Sequence, residues 1–232
     1  MSKYPVLTLP PEIVSEIFTH LLPVYPLRPP TSVLRSPTIL SHICSRWREI
    51  ALTTLALWRA ISIELIPDDE CLRPQPGYLE SLLHILETWL ARSQSCALSI
   101  ALVDWVYVSV TAPFVRAIIA RCNKWEHVDL HVTPDLVPLF NGDMPLLRSL
   151  RFTLQEAYPD HRTPSIFQHA PLLCAATSFT SFPSELVLPW AQFTRLSLEC
   201  VRQDSCSQLL RQMPNLVHCR LQFVGSSCVL SP

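Results

Sequence analysis

A pattern of six residues recurs along the second half of the chain, apolar at its first, fourth and sixth places. It reads Trp125, Val128, Leu130, then Leu147, Leu150, Phe152, then Phe193, Leu196, Leu198, then Leu216, Cys219, Leu221. A weaker copy begins at Leu173, with Ala176 fourth and Ser178 sixth, and Leu98 and Ile100 fit the last two apolar places of an earlier unit. Successive starts lie roughly 20–26 residues apart, room for one short strand and one returning segment. Alternation within the pattern is that of a strand buried on one side. The returns are expected as helices or single turns over Pro113–Cys122, Pro134–Phe140, Ser165–His169 and Asp204–Met213. Pro145, Pro171 and Pro214 stand just ahead of pattern starts, where a helix must end before a strand begins. Units of this kind bury their apolar faces against their neighbours and leave alternate strand positions on an open, concave sheet.

The spacing is that of leucine-rich repeats, although the copies are degenerate and no asparagine recurs at a fixed place. An ordinary α/β domain is the alternative reading. Upstream, an amphipathic helix is expected from Tyr78 to Arg92, burying Leu79, Leu82, Leu83, Leu86, Trp89 and Leu90.

Two shorter helices are expected before it. Pro10 and Pro11 suit a first helical turn, where a missing N–H costs nothing, and Glu12 and Glu16 sit near the positive end of the helix dipole. Ile13, Ile17, Phe18 and Leu21 form one apolar stripe, and Pro23 ends the helix. The second runs from about Thr38 to Leu52, with Ser36 as cap, Pro37 at the first position, and Ile39, Leu40, Ile43, Trp47, Ile50 and Ala51 at helical spacing. Between them, Leu22 to Pro37 is rich in proline, hence stiff and extended. It reads either as an exposed loop or as a change to the surface beside the first helix.

Composition removes several function classes. The 232 residues are 49% hydrophobic and 16% charged, with net charge −1; mean hydropathy is +0.25. No basic stripe exists to bind nucleic acid. The apolar run from Ala97 to Ala120 is broken by Asp104, Pro113 and Arg116, so no membrane span is expected. Met1 to Pro5 lacks a signal-peptide layout, and an intracellular protein, cytoplasmic or nuclear, is expected. None of the nine cysteines forms a Cys-x-x-Cys, and His127 and His131 have no third ligand nearby, so no metal is expected. With only Gly77, Gly142 and Gly225, phosphate cradles and nucleophile elbows lack their parts. The acidic trio Asp68, Asp69 and Glu70 reads as a solvated loop. No cofactor is expected.

In order along the chain stand Leu9-Pro10-Pro11-Glu12-Ile13-Val14-Ser15-Glu16-Ile17-Phe18, then Ile43-Cys44-Ser45-Arg46-Trp47-Arg48-Glu49-Ile50-Ala51, then Leu57-Trp58. Together they resemble the F-box, the helical module by which substrate receptors join SCF-type cullin–RING ubiquitin ligases. With the Pro-rich break, Trp89–Ser93 and irregular repeats, the chain is similar to the F-box-like family abundant in mushroom-forming fungi. The resemblance is specific over the first sixty or so residues and loose beyond them.

It implies an α+β to α/β chain: an N-terminal F-box helical bundle over residues 5–63, a linker over 64–77, and an irregular leucine-rich-repeat-like solenoid over 78–232. It implies no catalysis, but a receptor binding a Skp-type adaptor, through it a cullin, and an unknown protein target. Leu9, Pro10, Ile13, Ile17 and Phe18 would meet the adaptor, while Leu21, Ile43, Cys44, Trp47, Ile50 and Trp58 would hold the bundle together. Strand alternation offers Glu126, Asp129, Arg148, Arg151, Arg195, Ser197, His218 and Arg220 to the target, and the positive members favour an acidic or phosphorylated one. A scaffold outside any ligase, or a decayed F-box-like copy, is the rival reading. Family members usually continue with more repeats; this chain stops at Val229–Pro232 without a polar cap, as a truncated product or a segment needing a partner would.

Overall fold

A computed structural model describes residues 8–29, 36–65, 76–104, 108–154, 166–167, 169–178, 188–201, 207 and 209–223. At its centre lies a seven-stranded sheet whose spatial order follows the chain and whose neighbours are all parallel. The strands are β1 (Ala60–Leu65), β2 (Leu98–Asp104), β3 (Trp125–Val132), β4 (Ser149–Leu154), β5 (Ala175–Ser178), β6 (Arg195–Val201) and β7 (His218–Phe223). Parallel neighbours require a crossover. Helices α1 (Pro11–Leu21) and α2 (Ser45–Thr53) precede the sheet; α3 (Pro76–Arg92) joins β1 to β2 and α4 (Val108–Ile119) joins β2 to β3. Between later strands the crossovers tighten to 3₁₀ turns, Pro134–Leu139 and Trp190–Gln192. The fold is α/β.

The recurring pattern becomes a register. Ile61, Ile100, Val128, Leu150, Ala176 and Leu196 are paired strand to strand, and every one is buried. Two residues on, Ile63, Leu102, Leu130 and Phe152 form a second buried row, with Leu198 continuing it on β6. Each buried Ile or Leu contributes about 1.5–3 kcal/mol, so a one-residue slip that turned both rows outward is strongly opposed. Phe140, Phe152 and Phe167 pack together under the middle of the sheet, with ring centroids 5.9–6.4 Å apart. The returns are also tied to one another. Gln192 Nε2 donates to the Ala170 carbonyl at 2.7 Å, and Asn215 Nδ2 donates to that of Ala191 at 2.8 Å.

Two expectations need correction. β1 was not expected, and it runs through the boundary drawn between residues 63 and 64. Its Ile61-Ser62-Ile63-Glu64-Leu65 alternation pairs with β2, so this stretch belongs to the sheet. The single helix expected over Thr38–Leu52 is two pieces, a 3₁₀ turn Pro37–His42 and then α2. Ser36 caps the first piece as expected, its Oγ accepting from the Thr38 N–H at 3.3 Å. Cys44 breaks the run with an extended backbone, and its Sγ accepts from the Trp47 N–H at 3.4 Å as the cap of α2.

The N-terminal helices share the sheet's core. Phe18 meets Trp47 edge-on at 5.0 Å. Trp58 donates its indole N–H to the Ala51 carbonyl at 2.9 Å, packs on Trp89 of α3 at 5.1 Å, and lies under the Arg92 guanidinium. One continuous apolar cluster therefore runs from Val14 to Met213. The acidic trio, Ser165, the start of the Asp204–Met213 return and the last residues from 224 onward lie outside the described residues.

Candidate functional site: a helix stripe and a strapped sheet face

Helix α1 is apolar over more of its circumference than the core covers. At about 100° per residue, Ile13, Ile17, Leu21, Val14 and Phe18 sweep roughly 140°. Val14 and Phe18 are fully buried, whereas Ile13, Ile17 and Leu21 are 50%, 40% and 63% exposed. The exposed three are spaced i, i+4, i+8, so they line up as neighbours along the helix. Pro10, exposed, caps its N-terminal end, and Leu9 packs partly against the core. Arg46 Nη2 donates to the Leu9 carbonyl at 2.6 Å and Ser15 Oγ bonds Thr54 Oγ1 at 3.0 Å, fixing the helix on α2.

The structure reassigns three of the expected residues. Phe18, expected on the adaptor surface, fills the core, because it stands one turn from Val14 and faces Trp47. Leu21, expected in the core, is exposed; it is the last helical residue, and Leu22 turns inward in its place. Ile43, also expected in the core, is 55% exposed. The break at Cys44 destroys the helical spacing that would have aligned it with Trp47. Ile50 and Trp58 are buried, Trp47 is half-buried, and Cys44 serves as a cap.

The second feature lies on the sheet. Its polar face carries two registered rows, one through Ser99, His127, Ser149, Ala175, Arg195 and His218, the other through Ala101, Asp129, Arg151, Thr177, Ser197 and Arg220. Residues 22–29 of the Pro-rich segment cross the first part of this face as a strap. The Tyr25 hydroxyl donates to Glu126 Oε2 at 2.8 Å, its ring meets His127 edge-on at 5.4 Å, and the Arg59 guanidinium stacks on it at 4.0 Å. Arg28 Nη1 donates to Asp129 Oδ2 at 3.4 Å, and Ser99 Oγ donates to the Pro26 carbonyl at 2.7 Å. Under the strap Ser99 and Ala101 are buried although their side chains point to the polar face.

Burial sets the electrostatics there. Desolvation, then the bond to Glu126, holds the Tyr25 phenol well above its ordinary range. Desolvation lowers the Arg28 guanidinium, and Asp129 opposes that shift. Burial raises the Asp129 carboxyl against the pull of Arg28 and Arg151. His127 is pushed below its ordinary 6.5, mainly by burial, and its Nδ1 lies 2.7 Å from Ser149 Oγ.

Glu126 and Asp129, expected to face a target, are therefore occupied by the strap and by arginines on and just before β4. Arg148 Nε lies 3.3 Å from Glu126 Oε1 and Arg151 Nη1 lies 3.8 Å from Asp129 Oδ2. Both arginines remain about half exposed. Arg195, His218 and Arg220 are exposed and make no ion pair among the described residues. Tyr25, Arg28, Ser99 and His127 were missed from sequence. The available signal was an aromatic and a cation set among prolines, in a segment stiff enough to lie across a surface.

Cys44, Cys96, Cys122, Cys174 and Cys219 are free thiols. Among the described residues no group of three or more His, Cys, Asp or Glu could hold a metal ion. No helix among them is long and apolar enough to cross a membrane. No protein-family model and no curated protein matches the chain.

Proposed function

We propose that the chain is a non-catalytic substrate receptor of an SCF-type ubiquitin ligase, working inside the cell. Its α1 stripe takes a Skp-type adaptor, and its sheet face takes a target protein. In this reading the N-terminal helices are an F-box-like module, and the strands with their returns are an irregular leucine-rich-repeat-like solenoid. The observation that carries it is the row Ile13, Ile17 and Leu21, left in water on a helix whose adjacent side is fully packed. Aligned apolar residues on a fixed helix are suited to a partner's groove. Support for the solenoid comes from sequential parallel order and from two side-chain bonds that tie late returns to the ones before them.

The test is co-expression of the chain with a Skp-type adaptor, beside an Ile13→Asp, Ile17→Asp variant. Both positions lie outside the core, so the variant should keep its circular dichroism spectrum and melting temperature. Capture by the parent and loss in the variant is the expected result. A folded parent that captures no adaptor overturns the ligase reading and leaves an interaction scaffold.

A further inference from the structure

The polar face of the sheet is not uniform, and its uncovered part has a sign. Glu126 and Asp129 are the carboxylates of β3 on or beside this face, and both are taken up. Asp129 sits between two guanidiniums, so that pair of rungs carries net positive charge. Beyond it, the outward positions of β4 to β7 hold Arg195, Arg220 and His218, with Arg151 shared with Asp129, against the single carboxylate of Glu199. Arg151 and Arg220 share a row across three strand gaps, roughly 14 Å, and Arg195 stands in the next row. Between them are Ser, Thr and Ala, side chains too short to cover the guanidiniums.

We propose that this strap-free surface, β4 to β7, docks an acidic extended segment of a partner protein, and that residues 22–29 set both its edge and its charge. The inference deepens the receptor reading and rests on it. Guanidinium forks match carboxylate or phosphate oxygens in pairs, and the roughly 14 Å between Arg151 and Arg220 is about the span of acidic side chains four residues apart in an extended chain. A nucleic acid fits less well, because neither polar row carries a Phe, Tyr or Trp from β4 to β7 for bases to stack on; Phe223, the exposed aromatic of β7, stands two residues from Leu221 on the other side. The strap is the unexpected element. By pairing Arg28 with Asp129 it offsets a carboxylate that would repel an acidic ligand a strand or two away, while Tyr25 holds Glu126 in place beside its charge partner Arg148.

The full chain is titrated by fluorescence anisotropy against a labelled Glu-Ser repeat peptide, its phosphoserine form, a Lys-Ser control and a single-stranded oligonucleotide. The parent should bind the acidic peptides, less tightly at higher salt, and R195E/R220E should weaken that binding about tenfold or more. Both substitutions are at exposed positions, and the variant should still capture adaptor, which separates this surface from the α1 stripe. Arg28→Ala should weaken the acidic peptides several-fold without touching their site. Absent acidic-peptide binding, binding unchanged in R195E/R220E, or tighter binding of the oligonucleotide would each overturn the proposal. Peptide binding by a chain that captures no adaptor would keep the surface and remove the ligase.

Discussion

Ala101 and Ser197 occupy the same registered row of the same face, yet one is sealed and the other lies among exposed arginines. Nothing local separates them. The difference is made by residues 22–29, far away in sequence, which close over β2 and β3 and stop before β6. Strand alternation therefore fixes which way a side chain points, while a distant segment decides whether water reaches it. One half of the face is held by internal polar bonds; the other leaves Arg195, His218 and Arg220 exposed to water.

The sharpest way to break this contrast is to place the same charge in both halves. Ala101→Arg forces a guanidinium beneath the strap and should cost about 3 kcal/mol or more, or displace the strap outright. Ser197→Arg, at the row position shared across β5 and β6, should change stability by no more than about 0.5 kcal/mol. Paired urea melts measure both, and equal costs would remove the distinction. Next in size, Arg28→Ala leaves a largely buried carboxylate short of its main partner and should cost about 1–3 kcal/mol, whereas Arg220→Ala should lie within about 0.5 kcal/mol of the parent. Tyr25→Phe removes one hydroxyl and strands Glu126 less severely; about 1 kcal/mol is expected in the same melts.

The smallest effect is on pH. His127 has a folded value below 6.5, so its contribution is fully present above 6.5 and is lost as pH falls through the depressed value. Thermal melts of the parent should fall more steeply than those of His127→Gln as the buffer is taken from neutral towards pH 5. Parallel curves would show that His127 is not the group responsible.

How much of this was legible depended on how local the determinants are. β3, β4, β6 and β7 could be read because a strand with one buried side writes its alternation directly into the sequence, as Val128, Leu130 and Phe152 do. β1 carries the same signal in Ile61, Ile63 and Leu65, but it follows Leu57-Trp58 so closely that it was absorbed into the helical motif. The break at Cys44 was hidden because a thiol is not among the usual helix caps, and the apolar spacing continued across it. That hidden break is why Ile43 was misplaced. The α1 stripe was read as one face when it is two, half core and half open, and the side that holds Phe18 is the one that meets Trp47. The strap left least trace, since its bonds join residues about a hundred positions apart and no periodicity reports them.

The parallel register has a consequence for how such a chain can vary. The connection between Leu65 and Leu98 contains a seventeen-residue helix, while that between Val132 and Ser149 contains a six-residue turn, yet the strands they join keep step. Insertions and deletions can therefore accumulate in the connecting layer with little effect on the rows. A single residue gained inside a strand would exchange the greasy side for the wet one along the rest of that strand. Within the sheet the extra residues stand at two bulges, between Trp125 and His127 on β3 and between Leu198 and Val201 on β6, outside the paired rows, so new loops in the connections can be acquired without moving one arginine of the open face.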